Sequence, residues 1–558
     1  MNAQLLRHKG DILLLLLALL ATLGAVRNLA EISKVDPWFH NLDMDTLNVV
    51  DALLINSDHS AGAFDQPGIV MKSLLALDYR VRHRLARLDV WNLGVLEAQP
   101  NPLAVIPDLI AVGRTHSRIL VSAFIVMVGM LIYVLCRSVK AAALGVIVIA
   151  GSSGLLFQGL LTRPELLCVF FGQILAFLCM CRGIQAGRRA IGGIWFAATG
   201  LGVGFATLDK LPGFLYLLIY GGWVILDSIT PGRISGETET PPKDYWLVVW
   251  PETFLIVLVG GTMYWFTNLL WSRSLGMEPI EVSRLHLVSA ALVFGAILIH
   301  LPLPGQWRQW WQTSLRRCLL LVSGAVASLP LLYLLLRLTM SERSASNYIC
   351  NVLHTVVQPS GVISAYAGNQ HMFAEFGKFM AHDPWLIGMA LLGTILMWVL
   401  VRRQWAVKLA CAVLLLTAFG MAMMMAKRYF VLHYVIFTQV PLLLVVALVV
   451  HAAAESGLAG RVGWGRWFWA GISLAACGAI WVNTIRLERE YATYQGFEDS
   501  SNQVEFIYRN GTLPGAYRLL MRNHYGDEAG FEKSLNTLTG KTQGSATLGE
   551  GGKGTVDR

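Results

Sequence analysis

Two aspartates stand two residues apart, Asp43 and Asp45, just beyond the first apolar run of the chain. Carboxylates at that spacing can share a proton or a metal, or one can remove a proton while the other orients it. They can equally cap the helix that follows them, because aspartate favours helix N-termini. Three more segments carry charge where one apolar run gives way to the next: Leu161-Thr-Arg-Pro-Glu165, Leu208-Asp-Lys-Leu-Pro-Gly213 and Lys427-Arg-Tyr-Phe-Val-Leu-His433. Taken singly, each can be explained by charged residues that anchor helix ends in lipid headgroups. Together they supply Arg163, Glu165, Lys210, Arg428 and His433. Acids to withdraw a proton and cations to hold a phosphate are the residue types that a phosphate-releasing transfer needs on one face.

The elements that must carry this face are apolar. Of 558 residues, 55% are hydrophobic and 14% charged, where a soluble domain carries about a quarter charged. Mean hydropathy is +0.55. These values exclude a soluble enzyme, a disordered chain and a small disulfide scaffold. The net charge of +9 does not argue for nucleic acid, because most of the short basic clusters flank apolar runs. The eight cysteines offer no disulfide or zinc framework.

A spanning helix needs about 20 apolar residues, since backbone polar groups in hydrocarbon must bond within the helix. Thirteen segments meet this: 11–30, 118–136, 141–160, 166–181, 191–208, 211–227, 247–269, 285–301, 318–338, 385–401, 406–426, 430–450 and 467–485. They predict an all-α polytopic membrane protein. With the N-terminus inside, every inner end is basic, from Arg7/Lys9 and Arg137/Lys140 to Arg402/Arg403 and Arg461/Arg466. The first segment lacks a small-residue cleavage site and reads as an uncleaved anchor. Residues 1–485 are then a transmembrane domain with long exoplasmic loops at 31–117 and 339–384. Residues 486–540 form a small exoplasmic cap rich in aromatics, and 541–558 a disordered tail. The pI of 9.1 and the lack of disulfides fit a bacterial inner membrane.

Within the first loop, Asp45 to Ile55 has helical apolar spacing, and Ile69 to Leu88 is an amphipathic basic segment. The turn-rich stretch between them contains Asp65-Gln-Pro-Gly68. The loop thus predicts two interfacial helices that hold the acidic pair at the membrane surface. The second loop scatters Tyr348, His354, Tyr366, His371 and His382, too dispersed for a metal motif. They can line an acceptor cleft or serve as interfacial aromatics.

Two of these motifs carry a family resemblance. Gly200-Leu-Gly-Val-Gly-Phe-Ala-Thr-Leu-Asp-Lys-Leu-Pro-Gly213 resembles the span–Lys–Gly–Pro–span motif of the protein O-mannosyltransferase and aminoarabinose transferase group, with Leu211 where that group has Gly. Arg428-Tyr-Phe-Val-Leu-His-Tyr-Val-Ile-Phe-Thr-Gln-Val-Pro441 resembles the group's late Arg-Tyr segment. The acidic pair, the Asp65-Gln-Pro-Gly68 turn and the Arg163-Pro-Glu165 turn fit the same pattern over roughly residues 10–450. The group consists of C-type (GT-C) glycosyltransferases, polytopic enzymes that use sugars carried on polyprenyl phosphate.

The resemblance implies transfer of a sugar from a polyprenyl-phosphate donor to a hydroxyl of a lipid, glycan or protein acceptor on the exoplasmic face, with inversion. Asp45 or Asp43 would be the base; the first loop lacks the group's usual Asp-Glu…Tyr sequence, and the choice stays open. Glu165 would orient the acceptor or share in base catalysis. Lys210, Arg428 and Arg163 would neutralise the departing phosphate, and Asp65, Tyr429, His433 and His371 would contact substrate. No cofactor is implied with certainty. Paired acids would accept Mg²⁺ or Mn²⁺, but no ligand set of adequate strength is readable. No nucleotide site is visible either: Gly540-Lys-Thr542 lacks the upstream glycine of a P-loop, and Gly200, Gly202 and Gly204 sit inside a span, where they suit helix packing. The competing class is a transporter or flippase, which would show polar residues at mid-bilayer and broken helices. An inactive relative that binds lipid-linked sugar is a third reading.

Overall fold

The computed structural model describes residues 18–27, 42–59, 68–100, 102–186, 192–229, 245–273, 279–301, 305–357, 371–400, 405–427 and 430–455, with a few isolated positions besides. Among the described residues every regular element is helical. In chain order these are α1 (Ala18–Arg27), α2 (Leu42–Asn56), α3 (Ile69–Arg84), α4 (Leu93–Glu97), α5 (Pro102–Cys136), α6 (Val139–Ala150), α7 (Ser153–Leu160) and α8 (Glu165–Ala186). Then come α9 (Gly192–Asp209), α10 (Phe214–Ile229), α11 (Tyr245–Arg273), α12 (Pro279–Leu298), α13 (Gly305–Leu336), α14 (Glu342–Val357), α15 (Met372–His382), α16 (Pro384–Leu400), α17 (Trp405–Ala426) and α18 (Ile436–Glu455).

The chain is a multi-pass, all-helical membrane protein. Eight described helices are long and apolar enough to cross a membrane, or up to ten if each of two bent pairs is one span. Of the thirteen segments expected, 467–485 lies almost wholly outside the described residues, as does the region of the cap and tail. The first is described only as the short α1. Segment 191–208 forms α9, whose glycines keep it out of the apolar set, and Asp209 lies beyond its last apolar residue.

One helix starts earlier than its hydropathy suggests. α5 runs 35 residues, from Pro102, through a stretch whose charges read as loop. Arg114 and His116 face protein. Arg114 pairs with Asp45, and His116 Nδ1 lies 3.4 Å from Asp78 of α3. First-loop acids thus stand in for water along the first turns of α5. Tyr79 Oη donates to Leu109 O at 2.9 Å, and Val49, Leu53, Leu75 and Tyr79 build an apolar core shared with Leu332 and Tyr348.

At the centre, α9 and α13 touch backbone to backbone. A Cβ on Gly200 would lie 1.8 Å from Leu321 O, and one on Gly324 1.9 Å from Ala197 O. Small residues recur at Gly200/Gly204 and Gly324/Ser328, the four-residue spacing that lets helices approach closely in a membrane. The glycines therefore serve packing, and they fix where the end of α9 delivers Asp209 and Lys210.

The two bent pairs are α6 with α7, at 58°, and α15 with α16, at 84°. Their breaks meet. Gln439 of α18 accepts from Ser152 Oγ (2.6 Å) and Gly154 N (2.8 Å), and donates to Ser153 Oγ (3.0 Å) and to Asp383. His382 Nε2 lies 3.3 Å from Ser153 Oγ. A polar joint thus satisfies backbone and side chains where both helices break.

Candidate active site

The turn between α7 and α8 is held by α2. Asp45 and Asn48, one helical turn apart on one face, grip the Thr162 peptide from both sides. Asp45 Oδ1 accepts from Thr162 N (2.7 Å), and Asn48 Nδ2 donates to Thr162 O (2.6 Å). Asp45 Oδ2 accepts from Arg114 Nε at 2.9 Å, with both side chains buried. Gly113 of α5 allows this approach, since a Cβ there would meet Thr162 Oγ1 at 2.8 Å. Pro164 packs against Gly68, whose φ of +49° starts α3 in the left-handed region that glycine tolerates.

Three residues past Thr162, Glu165 opens α8. Its Oε1 accepts from Lys210 Nζ at 2.7 Å, and His433 Nε2 lies 4.0 Å away. Its other oxygen, Oε2, is buried without a hydrogen-bond partner among the described residues. Lys210 extends from the break between α9 and the 3-10 turn Leu211–Gly213, and its Nζ sits 5.1 Å from the Tyr434 ring centroid, within cation–π range. Gly213 is required for that break, because a Cβ there would lie 2.6 Å from the Ala206 carbonyl carbon. The 3-10 turn Leu432–Tyr434 carries His433, whose carbonyl accepts from Gln158 Nε2 of α7 at 2.8 Å. Arg163 is buried to 6% exposure, and its Nε has no hydrogen-bond partner among the described residues.

Four sequence stations therefore meet: Asp45, the Arg163–Glu165 turn, Lys210 and His433. Arg428, Tyr429 and Asp65 lie outside the described residues, and of Asp43 only its helical backbone is described. His371 is exposed at the start of α15, beside Glu375, whose Oε2 accepts from Phe430 N at 2.6 Å on the approach to His433.

Several members of this cluster carry no linear signal. Arg114 lies 69 residues from Asp45 in a stretch that reads as loop. Lys72 and Asp51, fully buried at 2.7 Å, read as surface charges of amphipathic helices. Asp209 is hidden next to the more conspicuous Lys210. Its Oδ1 accepts from Met71 N at 3.2 Å, and its carbonyl from Gly68 N at 2.9 Å. Only the rule that a buried charge needs a partner could have raised these pairs, and it needs burial to be known first.

Chemically, the cluster places buried acids and cations at one end of an apolar bundle. Among the described residues no three histidine, cysteine, aspartate or glutamate side chains converge to hold a metal. Both Asp45 oxygens and one Glu165 oxygen are engaged by the chain's own donors, so these two acids do not make a cation cage.

No protein-family model matches the chain, and no curated protein does. Two solved structures are similar to it, both of oligosaccharyltransferases from Archaeoglobus fulgidus. One is AglB in complex with an inhibitory peptide and a dolichol-phosphate, at 13% identity and a TM-score of 0.44, covering 84% of this chain and 55% of that one. The other is an oligosaccharyltransferase tethered through a disulfide bond to an acceptor peptide containing the NVT sequon, at 13% identity and a TM-score of 0.41, covering 84% and 54%. The chain spans about half the length of these structures. A likeness of that size carries no function across.

Proposed function

We propose that the chain is a membrane glycosyltransferase that moves a sugar from a polyprenyl-phosphate donor to an acceptor hydroxyl, with inversion, on the exoplasmic face of a bacterial inner membrane. The observation that carries this reading is the buried convergence of Asp45, Glu165, Lys210 and Arg163 at one end of an apolar bundle, on turns that resemble those of polyprenyl-phosphate sugar transferases. A lipid-borne donor suits such a place. At about 0.8 kcal/mol per buried methylene, its chain partitions firmly into the bilayer and leaves the phosphosugar at the helix ends.

In this mechanism Asp45 or Asp43 takes the proton of the acceptor hydroxyl as its oxygen attacks the anomeric carbon. The bond from that carbon to the phosphate oxygen breaks on the opposite face, and the lipid phosphate departs. Glu165 fixes the Lys210 ammonium at 2.7 Å, and Lys210, Arg163 and Arg428 share the charge of the departing phosphate. His433, Tyr429, Asp65 and His371 contact sugar or acceptor, which is a lipid, glycan or protein. Divalent metal stays outside the proposal, since Asp45 and Glu165 are each engaged by one of the chain's own cations.

Loss of one group that stabilises developing charge costs about a hundredfold or more in turnover. The test is transfer from polyprenyl-phosphate sugars by purified chain, with Lys210→Ala and Asp45→Asn beside wild type. Each variant is expected to lose about a hundredfold while binding detergent-soluble polyprenyl alcohol normally. Near-normal turnover in both sinks the assignment.

A second reading has its own observation. Two broken helices meeting at Ser152, Ser153, His382, Asp383 and Gln439 are a feature that transporters and flippases share. Movement of a fluorescent lipid phosphate across proteoliposome membranes, without any glycosyl transfer, would favour it.

A further inference from the structure

Buried charges around the site can be paired off. Asp45 goes with Arg114, Glu165 with Lys210 and Asp51 with Lys72, at 2.9, 2.7 and 2.7 Å. Among the described residues two groups remain, Arg163 and Asp209, both within interaction range of Glu165. With Asp209 ionised, these eight described groups sum to zero. With Asp209 protonated, the same eight groups sum to one positive charge.

Asp209 is fully buried, and its geometry is unusual for an acid. α3 begins at Gly68, which has no side chain to cap the helix. Asp209 supplies the missing cap from another helix: its Oδ1 takes the Met71 N–H and its carbonyl takes the Gly68 N–H. The second carboxyl oxygen, Oδ2, is buried with no hydrogen-bond partner among the described residues. The next residue is Lys210. One carboxyl therefore ties the first loop to the cation of the site and keeps one oxygen unengaged.

We infer that Asp209 is a positioning residue of this site that works as a neutral acid, leaving the buried belt more positive by one charge for a singly charged lipid phosphodiester. The inference rests on reading the site as a lipid-phosphate site. Charged and titratable neighbours face Asp209 from each side: Lys72 from α3, Glu165 and Cys168 from α8, Tyr348 from α14 and Lys210 from its own strand of chain. Burial pushes the carboxyl up, to about 8; the Met71 N–H opposes this, the Glu165 charge adds to it, and Lys210 and Lys72 oppose it. The sign follows. Below that value Asp209 holds its proton and the belt attracts a monoanion; above it Asp209 ionises and the attraction falls. One charge about 10 Å from the phosphate, at an effective dielectric of about 20, corresponds to roughly a tenfold change in affinity.

The experiment measures binding rather than transfer. A polyprenyl methyl phosphodiester stays singly charged throughout, so its own titration does not enter. Its dissociation constant is measured with the full chain in detergent at pH 6.5, 7.5, 8.5 and 9.5, beside that of the uncharged polyprenyl alcohol. Wild type is expected to bind the phosphodiester about tenfold more weakly at pH 9.5 than at 6.5, and the alcohol equally at both. Asp209→Asn should bind near the wild-type value at pH 6.5 and vary little with pH. Arg163→Gln should bind more weakly at every pH and keep the slope. A slope that persists in Asp209→Asn, a wild-type profile that is flat, or an equal slope for the alcohol overturns the role of Asp209 and leaves the site reading standing. Failure of wild type to bind the phosphodiester better than the alcohol at any pH overturns both. Should Asp209→Asn not fold, a flat wild-type profile or an equal slope for the alcohol still overturns the role of Asp209.

Discussion

Replacing Arg114 with Met should destabilise the protein severely, and replacing Asp45 with Asn in the same chain should recover much of the loss. The reason is the environment of the pair: Asp45 is 0% and Arg114 4% exposed, at 2.9 Å. Removing one member of a buried pair leaves an uncompensated charge and costs about 3–5 kcal/mol, whereas neutralising both costs far less. Asp45→Asn keeps an oxygen for the Thr162 N–H, so its penalty comes from the stranded guanidinium. Asp45→Ala strands that N–H as well and should cost about 1–3 kcal/mol more. The assay is unfolding by sodium dodecyl sulfate in mixed micelles, followed by tryptophan fluorescence, on wild type, both single variants and the double variant. A coupling energy of about 2–4 kcal/mol is expected. Additivity to within about 0.5 kcal/mol would show that the two side chains do not meet, and the grip of α2 on the Thr162 turn would go with it.

Gly213→Ala should lower both the melting temperature and lipid-phosphate binding, since its Cβ would fall 2.6 Å from backbone at Ala206 and push the Lys210 break open; an unchanged dissociation constant refutes this. Asp58 caps α14 from the end of α2, taking the Ser341 N–H at 2.5 Å. Although burial works against it, hydrogen bonds from Ser341 and Ser344 and the charge of His59 hold its carboxyl below the ordinary range. A depressed acid stabilises above its unfolded pKa of about 3.9, and that share is lost as pH falls through the lower folded value. The melting-temperature gap between wild type and Asp58→Asn should therefore be open at pH 6 and close below about pH 4. At the other end of α9 from Asp209, Arg317 pairs with Asp227 at 2.7 Å and Arg316 with Glu252 at 2.8 Å, beside Gly193. Arg317→Met should cost about 3–5 kcal/mol of stability while leaving lipid-phosphate affinity in the folded fraction within about twofold, because 16 residues of helix separate the two ends by about 24 Å.

Hydropathy alone determined that this chain is helical and dissolved in lipid, because hydrocarbon permits few other ways to satisfy a backbone. The charges of the turns were equally legible: Arg163, Glu165, Lys210 and His433 stand out against an apolar background. Partners were not. Asp45 reads as half of an acidic pair, but it pairs with Arg114, in a stretch that hydropathy assigns to loop and that α5 takes in. Asp209 reads as the neighbour of a lysine, yet it caps a helix more than a hundred residues earlier in the chain. Periodicity reports which face of a helix is apolar. It does not report which acid meets which cation once water is gone, because that depends on how closely helices approach. Here the approach was set by contacts as local as Gly200 on Leu321 and Gly113 on Thr162. The energy of a buried charge depends on groups a few ångströms away in space, whatever their separation along the chain.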